Sequence, residues 1–441
     1  MGDLAATACA ALDDTVLLEQ GEGLAHRGAA DGEAAGELLL GREHDEVLVG
    51  AGQRVVEAVV DLDGERTAVS HGRDVHARIL PEKRSCQTGD RSRMLSDNRQ
   101  PRRIVHWRAE MPSTPVHTVG GFTLDAIIHA DGRWSTGRLG GNALWASMGV
   151  ALAVGGRPVA HALVGEDYPE GALAEIASRG VDVDDVTRRP GQPNARVTFA
   201  YRADGSRTQP APPEAVAQLP AEVRPEFADS TRDPRRTLDS LVDGAALADV
   251  ARSLGGSWHL GLLPGARFAE LTTALRGAAV DYVQADCPAR SELARDGEAL
   301  LERHLAALDV FLPSSSDTDV FAPGVDHRTL VRRFHDYGAP VVVLKRGELG
   351  AIVSDATTGD AWGVPAIPAP QDVDATGAGD VFCGYFAHAY RNGATLLDAA
   401  VEASAAARAA LHVSSPLDLV RPRDEAWQTA VATIREGVTA L

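Results

Sequence analysis

Lysine is almost absent from this sequence. Its 441 residues include only Lys83 and Lys345, and arginine supplies the rest of the positive charge. Acidic residues outnumber basic ones by 62 to 43, which gives a formal net charge of −19. This acidic balance favours solubility and argues against a general nucleic-acid-binding protein. We attribute the scarcity of lysine to the codon bias of a GC-rich genome, so Lys345, retained within a predicted strand, is of interest.

Cysteine and long apolar runs are also scarce. The four cysteines are far apart and form no Cys-x-x-Cys pair: Cys9, Cys86, Cys287 and Cys383. This spacing argues against a structural zinc site and a disulfide framework, and it fits a reducing compartment. No run approaches the roughly 18 apolar residues of a membrane span. We therefore expect a cytoplasmic protein with neither a nucleic-acid nor a membrane partner.

Residues 1–110 differ in pattern from the rest of the chain. They show no sustained period of 2 or 3.6 residues, and they end in a polar, Arg-rich run, "EKRSCQTGDRSRMLSDNRQPRR". Such a segment cannot bury enough apolar surface to offset its ordering entropy. We expect a disordered extension or a mis-assigned start, with Met111 a sufficient beginning. The stretch "EVLVGAGQRVVEAVVDL" leaves a genuine accessory domain open as the alternative.

Residues 111–441 alternate strand-like and helical segments. Near-continuous apolar strands between helices predict an α/β domain with a mostly parallel sheet and helices on both faces. Two Asp-Gly pairs, Asp131–Gly132 and Asp204–Gly205, separate further strand-like runs and indicate hairpins. We expect these lid strands, near 122–139 and 195–208, to form a small β lid.

The stretch "DATGAGD", residues 374–380, precedes an apolar helical run. A helix start leaves backbone amides unpaired and carries a partial positive charge. Because Gly377, Ala378 and Gly379 are small, a phosphate can approach these amides closely, so the segment is suited to be an anion hole. Asp380 at the helix start is placed to accept a proton. This combination favours phosphoryl transfer to a hydroxyl. A purely helix-capping Asp380 is the alternative.

The stretch "DATGAGDVFCGYFAHAY" resembles the C-terminal signature of the ribokinase-like (PfkB) carbohydrate kinases. Other stretches match that family in its order: "VGGFTLDAII", "GRLGGNALWASMGVALA", "ALVGEDYPEGALAEIASRGVDVDDV", "ADGSRT" and "VVVLKRGELGAIV". The matching stretches span about residues 114 to 412. The resemblance implies a ribokinase-like fold and an ATP- and Mg²⁺-dependent kinase that acts on a sugar or a sugar-like alcohol.

The resemblance also implies roles on the phosphate side of the site. Asp380 would be the catalytic base, and Gly377, Ala378 and Gly379 would form the anion hole. Thr376 would lie next to the phosphates, and Asp374 would fall where many members bind a monovalent cation such as K⁺. A last group would border the nucleotide: Lys345, Gly347 and Gly350. From the residues alone, Lys345 could equally be a surface residue at a strand end.

On the acceptor side, the resemblance matches Asp125 and the pair Gly140–Gly141 to the sugar site. The carboxylate would hold substrate hydroxyls, and the glycines would let the backbone approach them. A solvated residue beside a hairpin and a tight turn into a helix are the respective alternatives.

Two departures from the family pattern bear on the site. The Asn-x-x-Glu that organises magnesium through water appears as Ser314 to Asp317, so Asp317 becomes the candidate magnesium residue. The asparagine that often follows the glycine pair by four residues is Trp145, which could stack on a ring of the acceptor.

These departures leave alternatives open. A nucleoside kinase of the same fold and a catalytically weak sugar-binding relative both remain, and so does a homodimer formed through the lid. A dinucleotide-binding dehydrogenase is disfavoured, because no G-x-G-x-x-G with a following acidic residue comes after the first strand.

Overall fold

The structure is a computed structural model that describes residues 113–202, 207–369 and 374–441, with the backbone of six short strands nearer the N-terminus. The chain divides into two compact units, Met1–Met111 and Pro112–Leu441. Most of residues 1–110 lie outside the described part, so the expectation for that segment stays a prediction.

The six strands of the first unit form one sheet in which every pair is antiparallel. They are Leu17–Glu19, Gly36–Leu40, Glu46–Val49, Glu57–Ala58, Thr67–Ser70 and Val75–Arg78.

The second unit is built on a ten-stranded sheet of order β5-β4-β1-β8-β9-β10-β11-β12-β13-β14. These strands are β1 (Val116–Val119), β4 (Pro158–Gly165), β5 (Val186–Arg189), β8 (Ser257–Leu260), β9 (Tyr282–Ala285), β10 (Val310–Phe311), β11 (Val341–Lys345), β12 (Ala351–Asp355), β13 (Ala361–Val364) and β14 (Thr439–Ala440). Pairing is parallel from β5 to β11 and antiparallel from β11 to β14. The predicted mostly parallel sheet is confirmed.

Helices cover both faces of this sheet. In the described residues of this unit, the helices are α1 (Asn142–Leu152), α2 (Ala172–Ser178), α3 (Pro213–Val216), α4 (Pro234–Asp239), α5 (Gly244–Leu254), α6 (Gly265–Gly277), α7 (Arg290–His304), α8 (Ser315–Thr318), α9 (His327–Asp336), α10 (Ala378–Arg391), α11 (Leu396–Ala410) and α12 (Asp424–Glu436). One hydrophobic core joins the sheet to α1, α2 and α10–α12, and a second joins its other face to α5–α7 and α9. In the described part, no helix has the length and apolarity needed to cross a bilayer.

The lid is a four-stranded sheet of order β7-β6-β2-β3. Its strands are β2 (Thr123–Ile128), β3 (Trp134–Gly140), β6 (Arg196–Tyr201) and β7 (Arg207–Thr208). The hairpin at Asp131–Gly132 is confirmed, because the amide of His129 donates to the Arg133 carbonyl at 2.8 Å across this turn. The other predicted turn, Asp204–Gly205, lies outside the described residues. The two hairpins join through β2 and β6, which pair in parallel.

Helices α1 and α10 touch backbone to backbone. A Cβ added to Gly384 of α10 would lie 1.9 Å from the carbonyl oxygen of Ala146, and one on Gly149 of α1 would lie 2.4 Å from that of Val381. Neither gap admits a methyl group, so these two glycines set how close the helices come.

Two histidines pair inside the sheet, far from water. His117 Nδ1 and His161 Nε2 are 2.9 Å apart, and both rings stack on Trp258, with centroids 4.2 and 4.8 Å away. Burial lowers the pKa of each to about 4, although Asp182 and Asp185 act in the opposite direction on one or both rings. The folded state therefore binds fewer protons than the unfolded state between about pH 6.5 and pH 4.

We expect His161→Gln to reduce the loss of unfolding free energy that occurs as the pH falls below neutral. A histidine whose pKa is lowered on folding costs stability as the pH falls, by about 2 kcal/mol between pH 7.5 and pH 5 for one ring. Carboxylates with raised pKa values change the stability in the opposite direction, equally in every variant. The informative quantity is therefore the difference between variant and wild type in the free energy of unfolding, measured with urea at the two pH values. The exposed His412→Gln is the control. Identical pH dependence in all three proteins would contradict the assignment.

Candidate active site

Helix α10 begins in a conformation that only glycine adopts easily. Gly377, its N-cap, has a φ of 80°, and a Cβ there would lie 2.2 Å from the indole of Trp145. The loop therefore packs tightly on α1, and the first amides of α10 lack intrahelical acceptors. With Ala378 and Gly379 next in the helix, this geometry is that of an anion-binding helix start.

Asp380 lies in the first turn of α10 and is half-buried. Burial, aided by the negative charge of Asp286, raises the pKa of its carboxyl to about 7, while Lys345 and Arg207 oppose this rise. A carboxyl with this pKa can accept a proton near neutral pH more readily than an ordinary aspartate.

Lys345, at the end of β11, is buried rather than at the surface. Its Nζ donates to Asp286 Oδ2 at 2.6 Å and lies 3.1 Å from Cys383 Sγ. A Cβ added to Gly379 would lie 3.7 Å from the same Nζ, so the ammonium sits beside the anion-binding loop. Burial disfavours the charged form, but Asp286 outweighs it and keeps the pKa of Lys345 above its ordinary value.

Asp317, the candidate magnesium residue, lies in α8 and is already paired. Arg290 Nε donates to its Oδ1 at 2.6 Å, and Arg290 Nη2 donates to Ser316 Oγ at 2.9 Å. Burial, and then the charge of Asp286, raises the pKa of Asp317. Among the described residues, no group of three or more His, Cys, Asp or Glu side chains could hold a metal ion. Asp317 is thus engaged in an ion pair with Arg290, and its predicted role in placing Mg²⁺ stays a prediction.

On the acceptor side, Asp125 of β2 is buried and accepts from Thr123 Oγ1 at 2.6 Å. Burial raises the pKa of Asp125 to about 7, against the hydrogen bond from Thr123. A Cβ on Gly140 would lie 2.1 Å from Asp125 Oδ2, and one on Gly141 would lie 2.1 Å from the Gly121 carbonyl oxygen. The glycine pair is therefore needed where β3 passes the carboxylate and turns into α1.

A small pocket brings together residues from both halves of the predicted site. Its polar and aromatic lining includes Asp125, Arg138, Trp145, Asp374, Thr376 and Ser414. The Trp145 side chain is buried against Gly377, so one indole contacts both the anion loop and this pocket.

The lid is tied to the loop that precedes α10. Tyr201 of β6 donates to Asp374 Oδ1 at 2.5 Å, and Arg207 of β7 donates to Thr376 Oγ1 at 2.5 Å. The amide of Thr376 also donates to Asp374 Oδ1, at 2.9 Å. Burial disfavours the Asp374 carboxylate, but the hydrogen bonds from Thr376 and Tyr201 keep its pKa below the ordinary value.

Gly347 and Gly350 form the turn between β11 and β12, with φ angles of 56° and 78°. A Cβ on Gly350 would lie 2.0 Å from the carbonyl oxygen of Val364, so this turn packs on β13. Their predicted place beside a nucleotide stays a prediction.

Sequence reasoning missed several side chains that complete the site: Arg138, Tyr201, Arg207, Asp286 and Arg290. Only two carried a usable signal. Asp286 follows β9 directly, at the carboxyl end of a parallel strand, where ligands bind in such sheets. Arg207 lies within the family-like stretch "ADGSRT".

Residues 243–420 match the model of the pfkB family carbohydrate kinases. A cytidine kinase of Thermococcus kodakarensis is 27% identical over 282 residues, which cover 63% of this chain and 89% of that protein. The resemblance to the pfkB family is confirmed.

Solved structures show that the fold of this pfkB relative is ribokinase-like. Arabidopsis thaliana ribokinase, complexed with ribose and ATP, aligns with a TM-score of 0.53 and 18% identity over 72% of this chain and 99% of its own. Burkholderia thailandensis nucleoside kinase, in complex with inosine, aligns with a TM-score of 0.51 and 16% identity over 72% and 96%. At 16–18% identity, these two structures show the fold alone.

We expect the Lys345–Asp286 pair to be strongly coupled. Lys345→Met alone should cost about 3 kcal/mol or more, because it leaves a buried carboxylate without its partner. In the double variant Lys345→Met/Asp286→Asn that carboxylate is gone, so the cost should be smaller than the sum of the two single costs. Urea unfolding of the four proteins gives the coupling energy, and additive costs would contradict the pairing.

Proposed function

We propose that this protein is a pfkB-family kinase that transfers the γ-phosphoryl group of ATP to a hydroxyl of a sugar or sugar-like alcohol. The observation that carries the proposal is Asp380, whose pKa is raised to about 7 and which lies in the same helical turn as the Gly377–Gly379 amides. ATP would supply the phosphoryl group, and Mg²⁺ would accompany its phosphates with Asp317 as a water-mediated contact.

Different residues would act on the acceptor hydroxyl, on the phosphates and on the position of the acceptor. Asp380 takes the proton from the acceptor hydroxyl, which makes the oxygen a better nucleophile. The amides at the start of α10 and the Lys345 ammonium would stabilise the negative charge of the phosphates. Asp125, which lines the same pocket as Trp145 and Thr376, would accept hydrogen bonds from acceptor hydroxyls and so fix which hydroxyl faces Asp380.

Arg207 supports an additional role for the lid. Its guanidinium reaches Thr376, and its charge favours the ionised forms of both Asp380 and Asp125. A lid residue that faces both carboxylates would add positive charge and help to exclude water when the lid is closed.

The second candidate is a nucleoside kinase. It is favoured by the cytidine kinase relative and by Trp145, whose indole lines the pocket beside Asp125. In this case the ribose of the nucleoside would occupy the Asp125 side, and the base would lie against an aromatic face.

Asp380→Asn tests the base. We expect kcat to fall by about 10²- to 10⁴-fold, because the amide keeps the shape but accepts no proton. ATP binding, followed by calorimetry, should stay close to wild type. Asp424→Asn, an exposed aspartate in the first turn of α12, is the matched control. Retention of more than about a tenth of the wild-type kcat would refute the role of Asp380.

Trp145→Leu separates the two acceptor classes. If the indole stacks on a base, kcat/KM for cytidine and inosine should fall about tenfold relative to ribose and fructose, since an aromatic stack contributes about 1 kcal/mol or more. Trp134→Leu, a half-exposed tryptophan on lid strand β3, controls for loss of an indole elsewhere. An unchanged order of preference across the four acceptors would limit Trp145 to packing against Gly377.

A further inference from the structure

A cavity of about 360 Å³ lies apart from the pocket of Asp125 and Trp145 and shares no lining residue with it. Its walls come from the end of β4 and β5, from residues 192–195, and from helix α4. The volume is within the range of small-molecule sites. We call it the lid-base cavity.

Three arginines line the lid-base cavity: Arg189, Arg235 and Arg236. The Arg189 guanidinium donates to the main-chain carbonyl of Asp239. Those of Arg235 and Arg236 form no ion pair or hydrogen bond with any residue in the described ranges. The chain has a net charge of −19. The two guanidiniums without a partner in the described ranges therefore give this cavity a local excess of positive charge.

Two carboxylates, of Asp233 and Asp239, share the cavity wall. Asp233 is used locally, because its Oδ1 accepts from the amides of Arg235 and Arg236 at 3.0 and 3.3 Å. The negative charge of Asp239 offsets part of the positive charge of the arginines. A singly charged anion would therefore gain little binding free energy in this cavity. A phosphate monoester carries nearly two charges at neutral pH and matches the planar donors of arginine.

The remaining wall is suited to an organic group rather than to a bare ion. Leu163, Val164, Pro193 and Ala195 contribute apolar surface to the same cavity. We propose that the lid-base cavity binds the phosphate group of a small organic phosphate, with Arg235 and Arg236 as its main contacts.

Binding of such a ligand would affect the position of the lid strand β6. Residues 192–195 run directly into β6, and the Ala195 carbonyl accepts from the amide of Leu124 in β2 at 2.9 Å. Asp229 lies four residues before Asp233 of the cavity wall, and its Oδ2 accepts from the Thr198 amide of β6 at 2.7 Å. Binding between these walls would therefore favour one position of β6, the strand that carries Tyr201 to Asp374.

The test is calorimetric titration of the full chain with ribose 5-phosphate and with AMP, with ribose as the uncharged control. We expect the double variant Arg235→Gln/Arg236→Gln to raise the Kd of a phosphate-bearing probe at least tenfold or to remove one binding site. The control Arg276→Gln/Arg328→Gln, which removes two exposed arginines elsewhere, should leave binding unchanged. The probe with the larger variant-dependent loss identifies a sugar phosphate or a nucleotide as the better ligand.

Equal Kd values and stoichiometry in the three proteins, for both phosphates, would overturn the proposal. So would an equal variant-dependent loss for ribose, because the arginines would then not be reading a phosphate. If the double variant fails to fold, the single variants Arg235→Gln and Arg236→Gln replace it under the same criteria. The measurement needs no turnover, so its result is independent of whether Asp380 acts as a kinase base.

Discussion

The close approach of α1 and α10 is the constraint on which the site depends. Gly149 and Gly384 remove the side chains that would separate the two helices, and the contact continues to Trp145 against Gly377. Helix α1 starts at the Gly140–Gly141 turn beside Asp125, whereas α10 starts at the anion loop. A backbone contact between them therefore fixes the distance from the acceptor carboxylate to the anion-binding amides. Catalysis by positioning requires that this distance be set by the scaffold rather than by flexible side chains.

The acidic side chains around Lys345 are not all paired with a positive charge. Asp286, Asp317 and Asp380 interact electrostatically around one buried ammonium, that of Lys345. Lys345 is committed to Asp286 at 2.6 Å, and Asp317 to Arg290. Asp380 has no such partner in the described residues, so burial and the residual negative field fall on its carboxyl. Pairing the other two acids locally leaves the third with the raised pKa that proton transfer at neutral pH needs.

The sequence was sufficient wherever the determining contacts are local. The Asp131–Gly132 turn and the glycine run before Asp380 act within a few residues, so their residue types predict their geometry. Lys345 shows the limit: its partner Asp286 is 59 residues away, and no periodicity links them. From the sequence alone, a lysine at the end of an apolar strand is as consistent with an exposed side chain as with a buried one. Similarly, the Arg290 contact to Asp317 depends on how α7 and α8 are placed over neighbouring strands, which the pattern of either helix alone does not encode.

The lid and the anion loop act on each other through Asp374. Its Oδ1 accepts both from Tyr201 on the lid and from the Thr376 amide in the loop, so the same oxygen shapes the loop and fastens the lid. Asp374 and Thr376 also line the pocket of Asp125 and Trp145, so this contact lies at the wall of that pocket. Hydrogen bonds to a charged carboxylate contribute about 1.5–3 kcal/mol each, small enough for substrate binding to offset. A lid that opened would therefore break one hydrogen bond of the residue that shapes the loop before α10. Under the proposed function, lid closure over an acceptor and the shaping of the anion-binding loop would be coupled through this one carboxylate.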